Sequence, residues 1–244
     1  MAANPARERT EAVGSGVNRR PLLDYGCRMR ILVTGFEPFG GDQENASEQV
    51  VKRLRERAPC PGVELATAIL PCTWAGAGPA FLDAIAAHRP EVILSLGEAG
   101  SRTAVTPERR AHNRGAGRIP DNAGVVRPAS PLDAGPEWLE TRIHPAPLAE
   151  AIRAVGVPAQ VSETAGAFLC NAAFRTLLRD TEVPGTFIHL PAVRNRGRAG
   201  VGAETDAGAA VKDSGLTIDQ LVDGVEASIR CVAEQRRESA LDDC

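Results

Sequence analysis

Within the stretch Ser162 to Pro191, SETAGAFLCNAAFRTLLRDTEVPGTFIHLP, Cys170 and His189 have the types and spacing that suit nucleophilic chemistry. Ser162, Thr164 and Gly166 are turn and cap residues. Phe168, Leu169, Phe174, Leu177 and Leu178 recur at helical spacing, which puts Cys170 in the first turn of a helix. A thiol at that place meets the positive end of the helix dipole, which favours thiolate over thiol. Thr186 to Leu190, bounded by Gly185 and Pro191, reads as a buried strand carrying His189 near its end. Its imidazole could take the thiol proton and leave a thiolate–imidazolium pair. Plainer roles fit the same residues: a small buried hydrophobe at a helix start, and a structural donor closing a strand.

The elements around this pair predict an α/β protein. MRILVTGFEPFGG opens with a strand over Ile31 to Thr34, apolar enough for both faces to be buried, and breaks at Gly35. Asn45 with Glu48 suits a helix start, and Val50, Val51 and Leu54 form its inner face. A strand over Val63 to Leu70, a helix over Gly78 to His88 and a strand over Glu91 to Leu96 complete a β–α–β–α–β order, which implies a parallel sheet covered on both faces. Leu148 to Val155 reads as a helix and Val157 to Val161 as a fourth parallel strand. Thr217 and Gln220 form a capping box for a last helix, whose stripe runs from Ile218 to Val232.

Three segments lack such patterning. Residues 1–28 show no period and no apolar core of a signal peptide, so they are expected to be a disordered extension before a single domain over 29–244. Gly97 to Pro136 is long and irregular, with a strand expected somewhere between Thr103 and Asn113; a loop of this length is either functional or a solvated excursion. The Gly-, Ala- and Arg-rich run from Pro191 to about Ser214 is expected to be a mobile surface loop.

Composition narrows the function. A net charge of -3 gives no electrostatic case for nucleic acid or an anionic membrane, and the arginine runs at 109–110, 194–198 and 236–237 read as solvated faces. The six cysteines form no CxxC and no histidine stands at metal spacing, which argues against zinc and a disulfide scaffold and favours a reducing cytoplasm. No apolar run approaches a membrane span. GFEPFGG is not GxGxxG, and Pro38 stiffens it, so a dinucleotide site is disfavoured.

Four segments taken together, GFEPFGG, TPERRAHN with RIPDN, SETAGAFLCN and FIHLP, occur in the order and spacing of the pyroglutamyl-peptidase I family, which this chain resembles from Met29 to Pro191. The resemblance implies a three-layer α/β/α sandwich with a twisted, mostly parallel mixed sheet. It implies a cysteine exopeptidase that removes an N-terminal pyroglutamyl residue and uses no metal or organic cofactor. Carried over residue by residue, Cys170 matches the nucleophile, His189 the general base and Glu108 the third, acidic member. Phe36 and Phe39 match positions that hold the lactam ring, Phe168 a position beside the nucleophile, and Arg118 an arginine near the site that assists the backbone at Cys170 in holding the oxyanion. Asn45 is a further candidate for positioning the substrate loop, although capping explains it equally well.

The chain also departs from the family pattern. Glu98 and Ser101 stand where many relatives carry an uncharged residue and a glycine, so Glu98 is a candidate acceptor for the lactam N–H. His112 replaces an apolar residue, NAS replaces NPS at Asn45, and AVRNRGRAG lacks an aromatic continuation. Two alternatives stay open: an amide hydrolase with the same triad and another acyl group, or a silent binding module. A homo-oligomer, dimer or tetramer, is compatible with the sequence.

Overall fold

The strand Ile31 to Thr34 has apolar residues at successive positions because both faces of the sheet bury it. In the computed structural model, which describes residue 1 and residues 28–58, 60–194, 199–201 and 208–242, it belongs to β1 (Met29–Phe36). Ile31 and Val33 point into one core layer and Leu32 into the other. Strand β2 (Val63–Leu70) and strand β3 (Val92–Ala99) flank it in parallel, and β7 (Gly185–Pro191) pairs with β3 in parallel. Strand β4 (Thr106–Pro107) closes the other side of β7 antiparallel, giving a mixed five-stranded sheet of order β2-β1-β3-β7-β4. A small second sheet pairs β5 (Arg110–His112) with β6 (Trp138–Glu140).

Helices cover both faces. Helices α1 (Ala46–Glu56), α3 (Pro145–Ala154) and α5 (Ile218–Asp242) bury Val50, Leu148, Ile152, Leu221 and Val225 in one layer. Helices α2 (Ala77–His88) and α4 (Leu169–Asp180) bury Phe81, Phe174 and Leu177 in the other. This is the three-layer α/β/α sandwich, with mostly parallel strands.

Local signals explain the helix starts. Asn45 Oδ1 accepts from Ser47 N at 2.9 Å, so Asn45 caps α1, whereas Glu48 pairs with Lys52 at 2.7 Å. Thr217 and Gln220 form the expected reciprocal box, Thr217 N to Gln220 Oε1 and Gln220 N to Thr217 Oγ1. Helix α3 begins at Pro145, three residues before the expected start, because proline is accepted in the first turn, where its missing N–H has no intrahelical partner to lose.

The chain departs from expectation beyond β3. Residues 157–161 do not form a fourth parallel strand: Ala159 makes a single parallel bridge to Val105, and Pro158 has no N–H to extend a ladder. The strand expected between Thr103 and Asn113 is two strands of different sheets, separated at Glu108 and Arg109. Glu108 N donates to Phe187 O while Arg109 N donates to Ser162 O, so the backbone changes partner at this point. The expected extension over 1–28 lies almost wholly outside the described residues, as do 195–198 and 202–207 of the expected loop after Pro191.

Candidate active site

Glycine at position 97 determines how closely α4 approaches the sheet. Gly97 on β3 is the register partner of His189 on β7. A Cβ built on Gly97 would stand 2.8 Å from Cys170 Sγ and 2.7 Å from Phe187 Cζ. Parallel partners project to the same face, and Phe187 lies two residues before His189 on that face, their ring centroids 4.9 Å apart. The structure therefore brings the Cys170 sulfur and the His189 imidazole to one patch of sheet, where glycine leaves the room.

Glu108 reaches this patch through the break after β4. It is fully buried, and its Oε1 accepts from His189 Nδ1 at 2.8 Å. That contact fixes the tautomer: Nδ1 carries the proton and Nε2 is left to act as acceptor. Arg102 Nη1 donates to the same Glu108 oxygen at 2.6 Å and also reaches Thr106 Oγ1, while its Nη2 donates to Thr164 O at 3.5 Å. Burial, then the Arg102 guanidinium, pushes the His189 imidazolium below its ordinary titration range, and the Glu108 hydrogen bond only partly offsets this.

Helix α4 presents its N-terminus at the same place. Phe168 occupies the N-cap position in an extended conformation and contributes no side-chain cap. The first intrahelical bond is Ala172 N to Phe168 O, which leaves the amides of Leu169, Cys170 and Asn171 outside the helical ladder. Asn171 locks the neighbouring chain: its Oδ1 accepts from His112 N, and its Nδ2 donates to His112 O and Arg114 O.

The aromatic candidates separate. Phe36 is buried in the core layer beneath α2 and α4, whereas Phe39 is half-buried and faces Phe168, ring centroids 6.2 Å apart. Trp74 meets Phe168 edge-on at 5.4 Å, a neighbour with no sequence signal beyond its type. Arg118 is exposed on the excursion after β5. Asn45 has both ends of its amide engaged, Oδ1 by the cap and Nδ2 by Glu37 O at 3.3 Å, so it acts by holding the GFEPFGG loop on α1.

Glu98, the candidate acceptor for the lactam N–H, is tied into the protein's own contacts. Both its oxygens are engaged within the protein: Oε2 accepts from Ala46 N at 2.6 Å, and Arg194 donates to both oxygens at 2.7 Å each. Arg194 also donates to Asp42 Oδ2 at 2.6 Å. The guanidinium expected on a solvated face is thus buried between two carboxylates, which raise its pKa above the arginine norm against the opposing effect of burial. His112, another departure, stacks on Trp138 at 4.1 Å, with the Arg110 guanidinium on the same indole at 4.4 Å.

Several supporting residues escaped sequence reading. Arg175 points inward from α4 and donates to both Asp133 oxygens, at 2.7 and 2.8 Å, holding that carboxyl well below the usual range. Asn113 bonds the backbone of 132, 133 and 135. Together they tie the long excursion to α4, the helix that carries Cys170. Among the described residues, no group of three or more His, Cys, Asp or Glu side chains could hold a metal ion, and no helix is long and apolar enough to cross a membrane.

A helix-start cysteine near a histidine–carboxylate pair on an α/β/α sandwich is an arrangement that suits thiol-based acyl transfer, and comparison with known proteins gives the class as a cysteine peptidase. The model of the pyroglutamyl peptidase family matches residues 29–235. Pyrrolidone-carboxylate peptidase of Levilactobacillus brevis is 41% identical over 169 residues, covering 67% of this chain and 82% of that protein. The Vibrio parahaemolyticus counterpart is 38% identical over 166 residues, covering 66% and 78%. The crystal structure of Bacillus amyloliquefaciens pyroglutamyl peptidase I superimposes with a TM-score of 0.70 at 31% identity, covering 82% of this chain and 94% of that one. The chain belongs to the pyroglutamyl peptidase family.

Proposed function

We propose that this peptidase hydrolyses the amide bond after an N-terminal pyroglutamyl residue, with Cys170 as nucleophile, His189 as general base and acid, and Glu108 as the residue that orients His189. The observation carrying this reading is the buried Glu108–His189 pair at 2.8 Å, next to the Gly97 patch on which the Cys170 sulfur rests. His189 Nε2 takes the thiol proton as sulfur attacks the carbonyl carbon of pyroglutamate. Charge develops on the carbonyl oxygen, and the amides at the start of α4, with Arg118, stabilise it. The tetrahedral intermediate collapses as His189 returns its proton to the departing amine, leaving a thioester on Cys170. Water, deprotonated by His189, then cleaves the thioester and releases free pyroglutamate.

Burial and Arg102 disfavour the imidazolium, so His189 enters the reaction as a neutral base. Phe39 and Phe168 supply flat apolar walls suited to an uncharged lactam. Glu98, neutralised by Arg194, adds no net charge near them. Cys60, Cys72, Cys170 and Cys231 form no disulfides, in keeping with action in a reducing cytoplasm.

The test is hydrolysis of a pyroglutamyl fluorogenic amide by the wild type beside Cys170→Ser and Cys170→Ala. Turnover by the wild type that both substitutions abolish supports the reading. Activity that survives Cys170→Ala refutes the mechanism, and faster turnover of larger or free-acid acyl amides refutes the specificity.

A further inference from the structure

A cleft of about 660 Å³ opens beside the site, lined among others by His112, Arg114, Arg118, Arg127, Trp138 and Ala167. Its size is that of a small-ligand pocket. Three guanidinium-bearing residues line it, and no carboxylate does. Glu137 approaches the rim, 3.7 Å from His112 Nε2.

The cleft adjoins Phe168 through its wall. Gly117 in its wall packs so closely on Phe168 that a Cβ there would stand 2.7 Å from the ring. The Arg127 guanidinium lies over the Trp74 ring at 5.0 Å, and Trp74 in turn meets Phe168. Arg114 is carried on the backbone that Asn171 grips, one residue from Cys170. Thr164, also in the wall, accepts from Arg102. A peptide whose pyroglutamyl ring sits between Phe39 and Phe168, with its scissile carbonyl at Cys170, has this cleft available for the residues on the amine side of the scissile bond.

We propose, resting on the pyroglutamyl-peptidase reading, that this cleft is the leaving-group subsite and that Arg114 and Arg127 select a carboxylate in the first residues after pyroglutamate. The carboxylate comes from an acidic side chain or from the C-terminus of a very short peptide. Guanidinium groups suit either source, because their forked donors match a planar carboxylate. Arg127 Nε is buried without a hydrogen-bond partner and faces Gly115, while its Nη2 donates to Ser130 Oγ and Pro131 O at 3.3 Å each, so the guanidinium is held both by these contacts and over Trp74.

The experiment compares kcat/KM for pyroglutamyl-Glu-amide, pyroglutamyl-Gln-amide and pyroglutamyl-Lys-amide, and for pyroglutamyl-Ala as free acid and as amide. The first series reads a side-chain carboxylate, and the second reads a terminal one. The wild type is expected to favour Glu over Gln, or acid over amide, by about fivefold at low salt, the worth of one partly solvated ion pair. The preference should shrink as ionic strength rises. Arg127→Met should reduce it and Arg127→Lys should restore most of it, while Arg114→Glu should turn preference toward Lys. Each readout is a ratio within one variant, so uniform damage to folding or catalysis does not move it. Hydrolysis of all the amides without charge preference in either series overturns the proposal alone. Failure to hydrolyse any pyroglutamyl amide overturns the peptidase reading and the subsite with it.

Discussion

Cys170 rests on Gly97: the sulfur lies 2.8 Å from the point where any side chain at position 97 would begin. The contact is too short for a real Cβ, and Phe187 Cζ stands equally close, at 2.7 Å. Gly97→Ala is expected to destabilise the fold by about 1–3 kcal/mol, the usual cost of overpacking. It should also lower kcat/KM at least tenfold with Cys170 as the proposed nucleophile, a displacement of its sulfur by about 1 Å being enough. Urea unfolding beside steady-state kinetics checks both. An unchanged kcat/KM would show that the sulfur does not depend on this seat.

Glu108 offers a sharper separation of fold from chemistry. Glu108→Gln keeps the shape but reverses what the side chain offers to His189 Nδ1. We expect kcat to fall by about 10²-fold or more, with KM little changed, because the imidazole loses the partner that fixes its tautomer. A KM effect without a kcat effect would assign Glu108 to binding instead.

The Arg102 guanidinium lies beside the Glu108–His189 pair and opposes a second positive charge on His189. Removing it in Arg102→Met should let the imidazolium form more readily and move the acid limb of the kcat/KM profile to higher pH. The same reasoning gives the sign for stability. His189 is depressed in the folded chain relative to about 6.5 in the unfolded one, so below that pH the unfolded chain binds more protons. Stability is fully present above about pH 6.5 and falls as pH drops toward the lower folded value. A pH series of urea midpoints for wild type and His189→Gln checks this. Equal acid sensitivity in both would remove His189 as the cause.

Arg194 joins the segment after β7 to β3 and to the loop after β1 through Glu98 and Asp42. Its side chain is 6% exposed and that of Glu98 3%, so either partner alone would be a poorly hydrated charge. Arg194→Met should cost about 3–5 kcal/mol in the same unfolding assay, and Arg194→Met with Glu98→Gln clearly less than the single change. Additive losses would mean that the pair is not coupled.

Much of the scaffold was legible in the chain because it follows from local rules. The apolar runs of β1, β3 and β7, the Asn45 cap and the Thr217–Gln220 box each rest on residues near in sequence. Cys170 was legible as a thiol in a helical first turn for the same reason. Glu108 was not separable by local pattern from Glu98, Glu137 or Glu163, and only the resemblance singled it out.

Sequence alone determined the order of the first three strands and of the helices, the two-faced burial of the central strands and the helix start that carries Cys170. Tertiary structure alone decided which charges meet. Glu108 lies 81 residues from His189, Glu98 lies 96 from Arg194, and Asp133 lies 42 from Arg175. Such pairs carry no periodic signal, because periodicity records which face a residue presents to the core and not which distant partner shares that face. The register of β3 on β7, which places Gly97 beside His189, is fixed by packing on both sides of the sheet, so the seat of the Cys170 sulfur exists only once the sheet has assembled.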